Sequence, residues 1–493
     1  MEIPARLPAP TTRVRIVHTN DVHGALSPVP DRVVLGRPAE LGGSAYLASL
    51  ARTAREEDPG RTLVLDAGDA VHGQIATDLD QGQAMVEVMN AVGYNGATLG
   101  NHDFQWGVPA LLKRLELAEY PVLVGNVVRE DGTPLPGTEP RRVFDLDGVK
   151  VGVTGLLTPE TGQKARADRV AGVKFLDEAG CLRQQVDALR AEGADLVVVL
   201  SHRGLEEDQA LARRFPGEGL VFVGGHSHDR VSAPLEVEGN YVVQAGSDGR
   251  EAGDLEVELR GRRIVSVEHR LLAVDPATVK PDPEVAALVA RYEDRAEREM
   301  GRTLNTLPER FTRSNHVDSP VGRLVTDAMR EAAGADLAFL NSGGLRKDLE
   351  AGPLTPRNLY ALMPFNGDLM KGTLTGAQVL GALEQSVSQR STEGADETSF
   401  LQVSGLRFAY DASRPAGERV LGVEVAGRPL DPEARYTVAL DDYLAQGKIG
   451  YGNFRDGGWQ PTGRDMLGPL VDFAERADLA RPQPARILDQ TPR

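Results

Sequence analysis

The sequence predicts an α/β protein with two domains, and three observations support this prediction. Stretches with the apolar spacing of a helix alternate with short apolar runs that are typical of buried strands. Polar residues are concentrated in the loops after these runs, where α/β folds place their ligands. The chain has 493 residues, which is more than one hydrophobic core usually holds together.

In the first half of the chain the predicted elements follow one another regularly. Residues 13–19 alternate as a strand does, and residues 43–56 show helical spacing through Leu47, Leu50 and Ala54. The apolar residues between Met85 and Val92 fall on one face of a helix. The same patterns predict further helices at 108–117 and 182–189, and further strands at 62–65, 97–99, 122–124, 151–157, 196–200, 220–223 and 241–245.

A change of pattern near residue 254 indicates where the first domain closes. Residues 254–274 are typical of an antiparallel hairpin, and residues 284–300 form a charged amphipathic segment that suits a linker helix. We therefore expect a first domain at 1–275, a linker helix at 276–303 and a second domain at 304–493. The second domain has predicted helices at 321–333 and 376–387, the latter capped by Thr375, and strands at 337–340, 406–410, 420–425 and 436–440.

Composition restricts the partners of this chain. A net charge of −17 argues against a surface that binds a nucleic-acid polymer or an acidic membrane. No apolar run approaches the length of a membrane span. Cys181 is the only cysteine, so an intrachain disulfide and a thiolate metal site are excluded. We expect a monomer that is cytoplasmic as written, or periplasmic or extracellular if a leader has been removed.

The loops after five predicted strands carry candidate metal ligands. Two histidines one residue apart follow the strand at 220–223 and a pair of glycines, which let the chain turn so that both imidazoles can face one point. Four other strand ends carry matching carboxylate, amide and imidazole groups. The seven candidate ligands are Asp21, His23, Asp69, Asn101, His202, His226 and His228.

Seven ligands are too many for one tetrahedral zinc ion. They suit two divalent ions that share a carboxylate and lie about 3.5–4 Å apart, an arrangement that promotes in-line phosphoryl displacement. Asp69 is the best candidate for the shared ligand. The nearby Asp66 stands at the end of its strand, where a structural hydrogen bond is more typical.

The ligand loops resemble those of a known family. The motifs are Asn-Asp-x-His-Gly from Asn20, Gly-Asp from Gly68, Gly-Asn-His-Asp from Gly100, Ser-His-x-Gly from Ser201 and Gly-Gly-His-Ser-His from Gly224. In this order they resemble the calcineurin-like metallophosphoesterases, and among these the bacterial 5′-nucleotidase and UDP-sugar hydrolase family. The resemblance implies a four-layer α/β sandwich for the first domain and a C-terminal α/β (α+β) domain that binds the nucleotide.

The resemblance also implies how the ligands are divided between two ions, Mn, Zn or a mixture. One ion would be held by Asp21, His23, Asp69 and His228, and the other by Asp69, Asn101, His202 and His226. Water bridging the ions would attack phosphorus.

The catalytic loop departs from the family at one position. His102 would stabilise the transferring phosphoryl group or protonate the leaving oxygen. Gln105 stands where the nucleotidases have an aspartate that pairs with this histidine, so it can orient the ring but adds no charge. Asp103 is a candidate to compensate for that loss.

Loops of the second domain resemble the family's substrate-binding loops. The matching residues are Asn341, Gly344, Arg346, Phe365, Asn366 and Tyr443, and Arg313 is a candidate for a further phosphate-binding arginine. Phe365 and Tyr443 match the two rings that sandwich the base. Ile449 stands where the ribose-binding aspartate aligns, so we expect base stacking to be retained and sugar recognition to be altered.

Three functions remain open at this stage. The first is a metal-dependent phosphomonoesterase that acts on 5′-nucleotides. The second is a 2′,3′-cyclic nucleotide phosphodiesterase or nucleotide-sugar pyrophosphatase with the same site. The third is a non-catalytic, metal-dependent ligand-binding protein. Because every expected ligand is present, we favour an enzyme whose partner is a nucleotide or another phosphate ester.

Overall fold

The computed structural model describes residues 11–34, 37–164, 168–363, 367–388, 399–481 and 483–492. The chain forms two compact units, and the division between them falls between Ala296 and Glu297. This point lies within a helix, and the domain limits expected at residues 275 and 303 remain predictions. Within the described ranges, no helix has both the length and the apolar character needed to cross a bilayer.

The first unit contains most of the strands. They are β1 (Thr12–Thr19), β2 (Val29–Val34), β3 (Arg37–Leu41), β4 (Thr62–Asp66), β5 (Gly96–Ala97), β6 (Val122–Leu123), β7 (Val127–Arg129), β8 (Thr138–Glu139), β9 (Arg141–Leu146), β10 (Val149–Leu157), β11 (Val173–Phe175), β12 (Leu196–His202), β13 (Leu220–Gly224), β14 (Leu235–Val237), β15 (Asn240–Val243), β16 (Glu251–Arg260) and β17 (Arg263–Ala273). The helices are α1 (Ser44–Glu57), α2 (Ile75–Asp78), α3 (Gln83–Val92), α4 (Gly107–Leu117), α5 (Thr161–Lys164), α6 (Glu178–Ala191), α7 (Leu205–Ala212) and α8 (Pro283–Gly301).

Two large sheets form the centre of this unit. One has the order β17-β16-β1-β4-β5-β6-β8 and the other the order β14-β15-β13-β12-β10-β9. Their facing sides share one apolar core, to which Ile16 and Leu65 contribute from the first sheet and Val198 and Val223 from the second. Helices α1, α3 and α4 cover the outer face of the first sheet, and α6 and α7 cover that of the second. The unit is therefore the expected four-layer sandwich.

Parallel pairing brings several strand ends to one edge of each sheet. Strands β1, β4 and β5 are parallel neighbours, as are β12 and β13. The expected hairpin is present as β16 and β17, and β16 pairs antiparallel with β1. The loops at the carboxyl ends of β1, β4, β5, β12 and β13 are those that carry the expected metal ligands.

Two histidines are buried on the face of the first sheet that is turned towards the second. His18 of β1 is 0% exposed and His269 of β17 is 8% exposed, and their Nε2 atoms lie 3.0 Å apart. Gly253 of β16 makes room for this contact, because a Cβ atom there would lie 2.0 Å from His18 Nε2. Burial lowers the pKa of His18 well below its ordinary value and that of His269 to about 4. Both rings are therefore neutral at neutral pH, and one donates its Nε2 hydrogen to the other.

The second unit is a smaller α/β assembly. Its strands are β18 (Asn305–Leu307), β19 (Leu337–Asn341), β20 (Gly352–Leu354), β21 (Asp368–Thr375), β22 (Leu401–Ser404), β23 (Leu406–Tyr410), β24 (Val420–Val425), β25 (Arg428–Pro429), β26 (Arg435–Asp441), β27 (Gln460–Asp465) and β28 (Ile487–Asp489). Its helices are α9 (Pro320–Ala333), α10 (Pro356–Leu362), α11 (Gly376–Ser388), α12 (Asp442–Ala445) and α13 (Leu467–Arg476).

A five-stranded sheet of order β22-β19-β26-β21-β27 divides this unit into two cores. Helices α9, α10 and α13 pack on one face, and α11 with the four-stranded sheet β25-β24-β23-β28 packs on the other. Helix α9 shows how the sequence sets an element's limits. The Ser319 side chain accepts a hydrogen bond from the Gly322 amide, Pro320 occupies the first turn, and Gly334 ends the helix with a left-handed φ of 54°.

Candidate metal centre

The expected ligands follow strands of both sheets. On the seven-stranded sheet, Asp21, Asp69 and Asn101 come after β1, β4 and β5. On the six-stranded sheet, His202 is the last residue of β12, and the histidine pair of the Gly-Gly-His-Ser-His motif follows β13. Because these strand ends share one edge of each sheet, the topology brings the side chains together from distant parts of the sequence.

Asp21, His23 and His228 form the first group, in which the ligand atoms all lie within 4.8 Å of one another. The Nε2 atoms of the two histidines are 3.1 Å apart. Oδ1 of Asp21 lies 3.3 Å from Nε2 of His228 and 3.8 Å from Nε2 of His23. Two imidazoles and a carboxylate thus converge on one point, as ligands of a single divalent ion do.

Asp69, His202 and His226 form the second group, with the same limit of 4.8 Å between ligand atoms. Oδ2 of Asp69 lies 3.0 Å from Nε2 of His202, and the two imidazole centroids are 5.1 Å apart. Nε2 of His202 is also 3.9 Å from Oδ1 of Asp21, which belongs to the first group. The two groups are therefore adjacent, as the expectation of two neighbouring ions requires.

Backbone carbonyls fix the tautomer of two of these histidines. Nδ1 of His202 donates to the Ala67 carbonyl at 2.8 Å, and Nδ1 of His23 donates to the His72 carbonyl at 3.1 Å. A carbonyl can only accept, so each Nδ1 must carry the hydrogen. In the neutral ring Nε2 then keeps the lone pair with which imidazole binds a metal.

Several buried polar atoms of the centre lack a hydrogen-bond partner within the described residues. Oδ1 of Asn101 forms no hydrogen bond. Oδ1 of Asp21 and Nε2 of His202 are also buried, and they make ion-pair contacts only, at 3.3 Å to His228 and at 3.0 Å to Asp69. A buried polar atom without a partner costs about 1–3 kcal/mol. Divalent cations would satisfy all three atoms, so the donor set fits such ions.

The pKa shifts of Asp69 and His202 also indicate that the buried carboxylates of the centre favour a nearby positive charge. Burial alone would raise the pKa of Asp69, but His202 and His102 hold it below its usual range. Burial of His202 opposes protonation, yet Asp69 outweighs it and raises the pKa of His202 to about 10. Protons on imidazole therefore balance the buried carboxylates when no metal does, and metal binding would displace them.

The turns that carry these ligands have unusual backbone geometry. Five ligand residues have a positive φ: Asp21 at 49°, His23 at 50°, Asp69 at 57°, His226 at 78° and His228 at 61°. A residue with a Cβ atom adopts this left-handed region at a cost of about 1–2 kcal/mol. Gly100 has a different role, because a Cβ atom there would lie 2.0 Å from Oδ1 of Asp69.

His102 lies against the two groups. Its backbone N–H donates to Oδ1 of Asp69 at 2.8 Å, and its ring centroid is 5.5 Å from that of His23 and 5.3 Å from that of His72. Burial lowers the pKa of His102. The backbone N–H of Gln105 donates to the His102 carbonyl at 3.0 Å, while its side chain forms no hydrogen bond in the part of the chain that the structure describes.

Asp103 has other partners than the His102 ring. Its carboxylate accepts a hydrogen bond from the Gly100 amide at 2.8 Å and lies 3.6 Å from the buried guanidinium of Arg114. These contacts hold the turn that begins at Gly100. The sequence identified Asp103 but not Arg114, which lies on α4 outside every motif. Asn20 was also missed as a support: its side chain donates to Oδ2 of Asp21 at 2.8 Å.

A cavity of about 410 Å³ in the second unit contains part of the expected substrate site. Asn341, Gly344, Arg346 and Tyr443 line it together with Ile449. Tyr443 is 46% exposed, and Ile449 has a φ of 46°. Tyr443 is thus available to stack on a ligand rather than packed in a core.

The remaining substrate-site candidates have different outcomes. Arg313 is not among the residues that line this cavity; its backbone N–H donates to Asp348 at 2.8 Å and its guanidinium to Asn315 at 3.1 Å. Phe365 and Asn366 lie outside the described residues. Asp441 and Asp442 line the cavity but were missed in the sequence, although they directly precede Tyr443. Burial raises the pKa of Asp441 to about 6.

Comparison with known proteins agrees with the two-unit fold and with the metal centre of the first unit. The model of the calcineurin-like phosphoesterases matches residues 14–230, and that of the 5′-nucleotidase C-terminal domain matches residues 299–456. The crystal structure of a 5′-nucleotidase precursor from Thermus thermophilus is 31% identical, with 98% of this chain and 100% of that chain covered and a TM-score of 0.65. Bovine 5′-nucleotidase is 28% identical over 490 residues, which cover 90% of this chain and 84% of the relative. An endonuclease of Bacillus subtilis is 27% identical over 88% of this chain, which spans 37% of that relative's length.

The fold and the site define a metal-dependent phosphoester hydrolase. The chain belongs to the 5′-nucleotidase family of the calcineurin-like phosphoesterases. The expected family, the two-part α/β architecture and the expectation of an enzyme are thereby confirmed.

Proposed function

We propose that the protein releases phosphate from nucleoside 5′-monophosphates, using two divalent ions that are Mn, Zn or one of each. One observation carries this proposal: two adjacent clusters, each of one carboxylate and two imidazoles, contain buried ligand atoms without a hydrogen-bond partner among the described residues. Bound ions at such a centre lower the pKa of water and neutralise phosphoryl charge.

In this proposal the protein's own residues have separate tasks. Asp69 is the shared ligand that the motifs imply. One of its oxygens lies beside His202 of the second group, and the other accepts a hydrogen bond from the backbone N–H of His102. This hydrogen bond from the backbone of His102 fixes the position of His102 relative to Asp69. The His102 ring is then placed to donate a hydrogen bond to the phosphoryl or leaving oxygen.

The cavity of the second unit supports a nucleoside as the remainder of the substrate. Tyr443 offers an exposed ring for stacking on a base, which tolerates any base because each has a π face. Arg346 supplies a guanidinium that suits an anionic group. The apolar Ile449 cannot accept a hydrogen bond from a ribose hydroxyl. We therefore propose broad acceptance of nucleosides and modest affinity.

The test is phosphate release from the four common nucleoside 5′-monophosphates and p-nitrophenyl phosphate, with Mn²⁺ or Zn²⁺ added to metal-free protein. We expect all four nucleotides to be hydrolysed, and Tyr443→Ala to raise KM for nucleotides but not for p-nitrophenyl phosphate. Tyr443→Phe is the matched control, because it keeps the ring that stacks and should leave KM for nucleotides unchanged. Absence of monoester hydrolysis with either metal would refute the proposal.

A second candidate function is hydrolysis of phosphodiesters or nucleotide pyrophosphates at the same centre. The endonuclease among the relatives and the apolar residue at position 449 favour it, because both relax the demand for a free 5′-monophosphate with an intact ribose. Bis-p-nitrophenyl phosphate, 2′,3′-cyclic nucleotides and UDP-sugars should be tested under the same conditions. Activity on these diesters alone would assign the second function.

A further inference from the structure

The second unit contains another cavity, of about 460 Å³, that is separate from the proposed substrate site. Helix α9, the turn between β22 and β23, the turn between β24 and β25 and the segment before β28 form its walls. This volume falls within the range of small-molecule sites. Two carboxylates line the cavity, those of Asp327 and Glu424. The four arginines that line it are Arg330, Arg407, Arg481 and Arg486.

Two of these arginines are held in place by a hydrogen-bonded network. Arg486 donates to the Asp327 carboxylate at 2.7 Å and to the Val403 carbonyl at 2.9 Å. Ser404 donates to the same carboxylate at 2.5 Å and accepts from Nε of Arg330 at 2.8 Å. Asp327 is only 8% exposed, so the network is anchored in the body of the unit. It fixes two guanidinium groups at the cavity wall before any ligand arrives.

The other two arginines have no such partners. Arg407 and Arg481 are exposed, and within the described part of the chain their side chains form no hydrogen bond or ion pair. Glu424 stands opposite Arg407 in the β23–β24 ladder without forming an ion pair with it. A tight turn places Arg407 here: Gly405 has a φ of 81°, and a Cβ atom on it would lie 2.0 Å from the Asp336 carbonyl oxygen.

The four arginines place positive charge around one cavity of a chain that is acidic as a whole. The protein carries a net charge of −17, so four arginines around one cavity do not reflect a generally basic surface. Guanidinium groups bind phosphate oxygens through paired N–H donors, and several around one cavity suit a ligand with more than one anionic group. The volume of the cavity is that of a small-molecule site.

We propose that this arginine cavity is a second anion site that binds a small molecule carrying two or more phosphate groups. Arg330 and Arg486 form its fixed side, and Arg407 and Arg481 close on the ligand from the exposed side. The site is distinct from the substrate cavity because the two lie at opposite ends of paired strands. Asn341 ends β19 at the substrate cavity, whereas Ala338 of β19 pairs with Ser404 at the arginine cavity.

Calorimetric titration with inorganic pyrophosphate tests the proposal on the whole 493-residue chain. The protein should be metal-free and carry Arg346→Ala, because these two changes remove pyrophosphate binding at the metal centre and at the substrate cavity. We expect one pyrophosphate to bind per chain. Arg407→Ala/Arg481→Ala in this background should weaken binding at least about tenfold, which corresponds to about 1.4 kcal/mol.

The matched control is Arg414→Ala/Arg435→Ala, which removes the same charge from exposed positions outside the cavity. It should bind pyrophosphate as the background protein does. Because Arg407 and Arg481 are exposed and unbonded, their loss should leave the thermal unfolding temperature unchanged. The proposal is overturned if the metal-free Arg346→Ala protein binds no pyrophosphate, or if both double variants lose affinity equally. Neither result bears on phosphate release by the metal centre.

Discussion

The pair of His18 and His269 should make the first unit sensitive to acid by an amount that the structure allows one to calculate. In an unfolded chain both histidines have their ordinary pKa of 6.5, whereas burial lowers the folded values, to about 4 for His269. As pH falls below 6.5, the unfolded chain therefore binds protons that the folded chain excludes. The stability linked to the pair is complete above pH 6.5 and is lost as pH falls towards about 4.

At pH 5 the pH is roughly one and a half units below the unfolded pKa, so excluding the proton from folded His269 lowers the free energy of unfolding by about 2 kcal/mol. Excluding it from folded His18 lowers the free energy of unfolding further, in the same direction. The variant His18→Leu/His269→Leu removes both titrations and leaves no single ring with a buried N–H group. Between pH 7.5 and pH 5, we expect the parent protein to lose at least about 2 kcal/mol more unfolding free energy than this variant.

Urea unfolding followed by tryptophan fluorescence measures this difference. The chain has two tryptophans, Trp106 in the first unit and Trp459 in the second, so Trp459→Phe in every protein restricts the signal to the first unit. Protonation of the metal ligands affects both proteins alike and cancels in the comparison. His316→Gln, at an exposed position, is the control and should keep the full pH dependence. Equal losses in the parent and the leucine variant would refute the reasoning.

Three substitutions test the proposed centre and substrate cavity. Asp69→Asn should abolish phosphate release and lower the content of both ions by elemental analysis, and retention of two ions would contradict its shared role. His102→Ala should keep both ions but lower kcat by about 10²–10⁴-fold, and full activity would remove it from the mechanism. Ile449→Asp should lower KM for nucleotides relative to p-nitrophenyl phosphate without lowering Tm, because aspartate adopts the left-handed φ of this position more readily than a β-branched residue. An unchanged KM ratio would show that residue 449 does not face the sugar.

Much of the fold could be predicted because its signals are local. The strands before the ligand loops are continuous apolar runs, and helices such as α9 carry capping residues at both ends. Strand β21 was missed because its sequence mixes Lys371 and Gly372 with apolar residues. Its pairing with β26 and β27 stabilises the strand where local preference does not.

The candidate metal ligands could be predicted from the sequence, but the residues that support them could not. Each ligand loop combines glycine with metal-binding side chains, so chemistry and turn can be recognised together. Supports that act through the backbone leave no such signal: the Ala67 carbonyl fixes the tautomer of His202, yet nothing about an alanine indicates this. Arg114 reaches the Asp103 turn from α4 through tertiary packing alone. The arginine cavity joins four segments that the sequence separates.

Five ligand residues have a left-handed backbone, so the side chain that is needed to bind metal also lowers the stability of the fold at these positions. Aspartate and histidine adopt this region more readily than most residues, yet even at about 1 kcal/mol each the combined strain is a sizeable part of the stability of a typical domain. The rest of the sandwich must offset it. Glycine would relieve that strain at each position and would delete a ligand every time. A search for more stable variants should therefore converge on these turns and return inactive proteins. In this fold, resistance to unfolding has to be gained elsewhere, in the helices and sheet faces that never contact the ions.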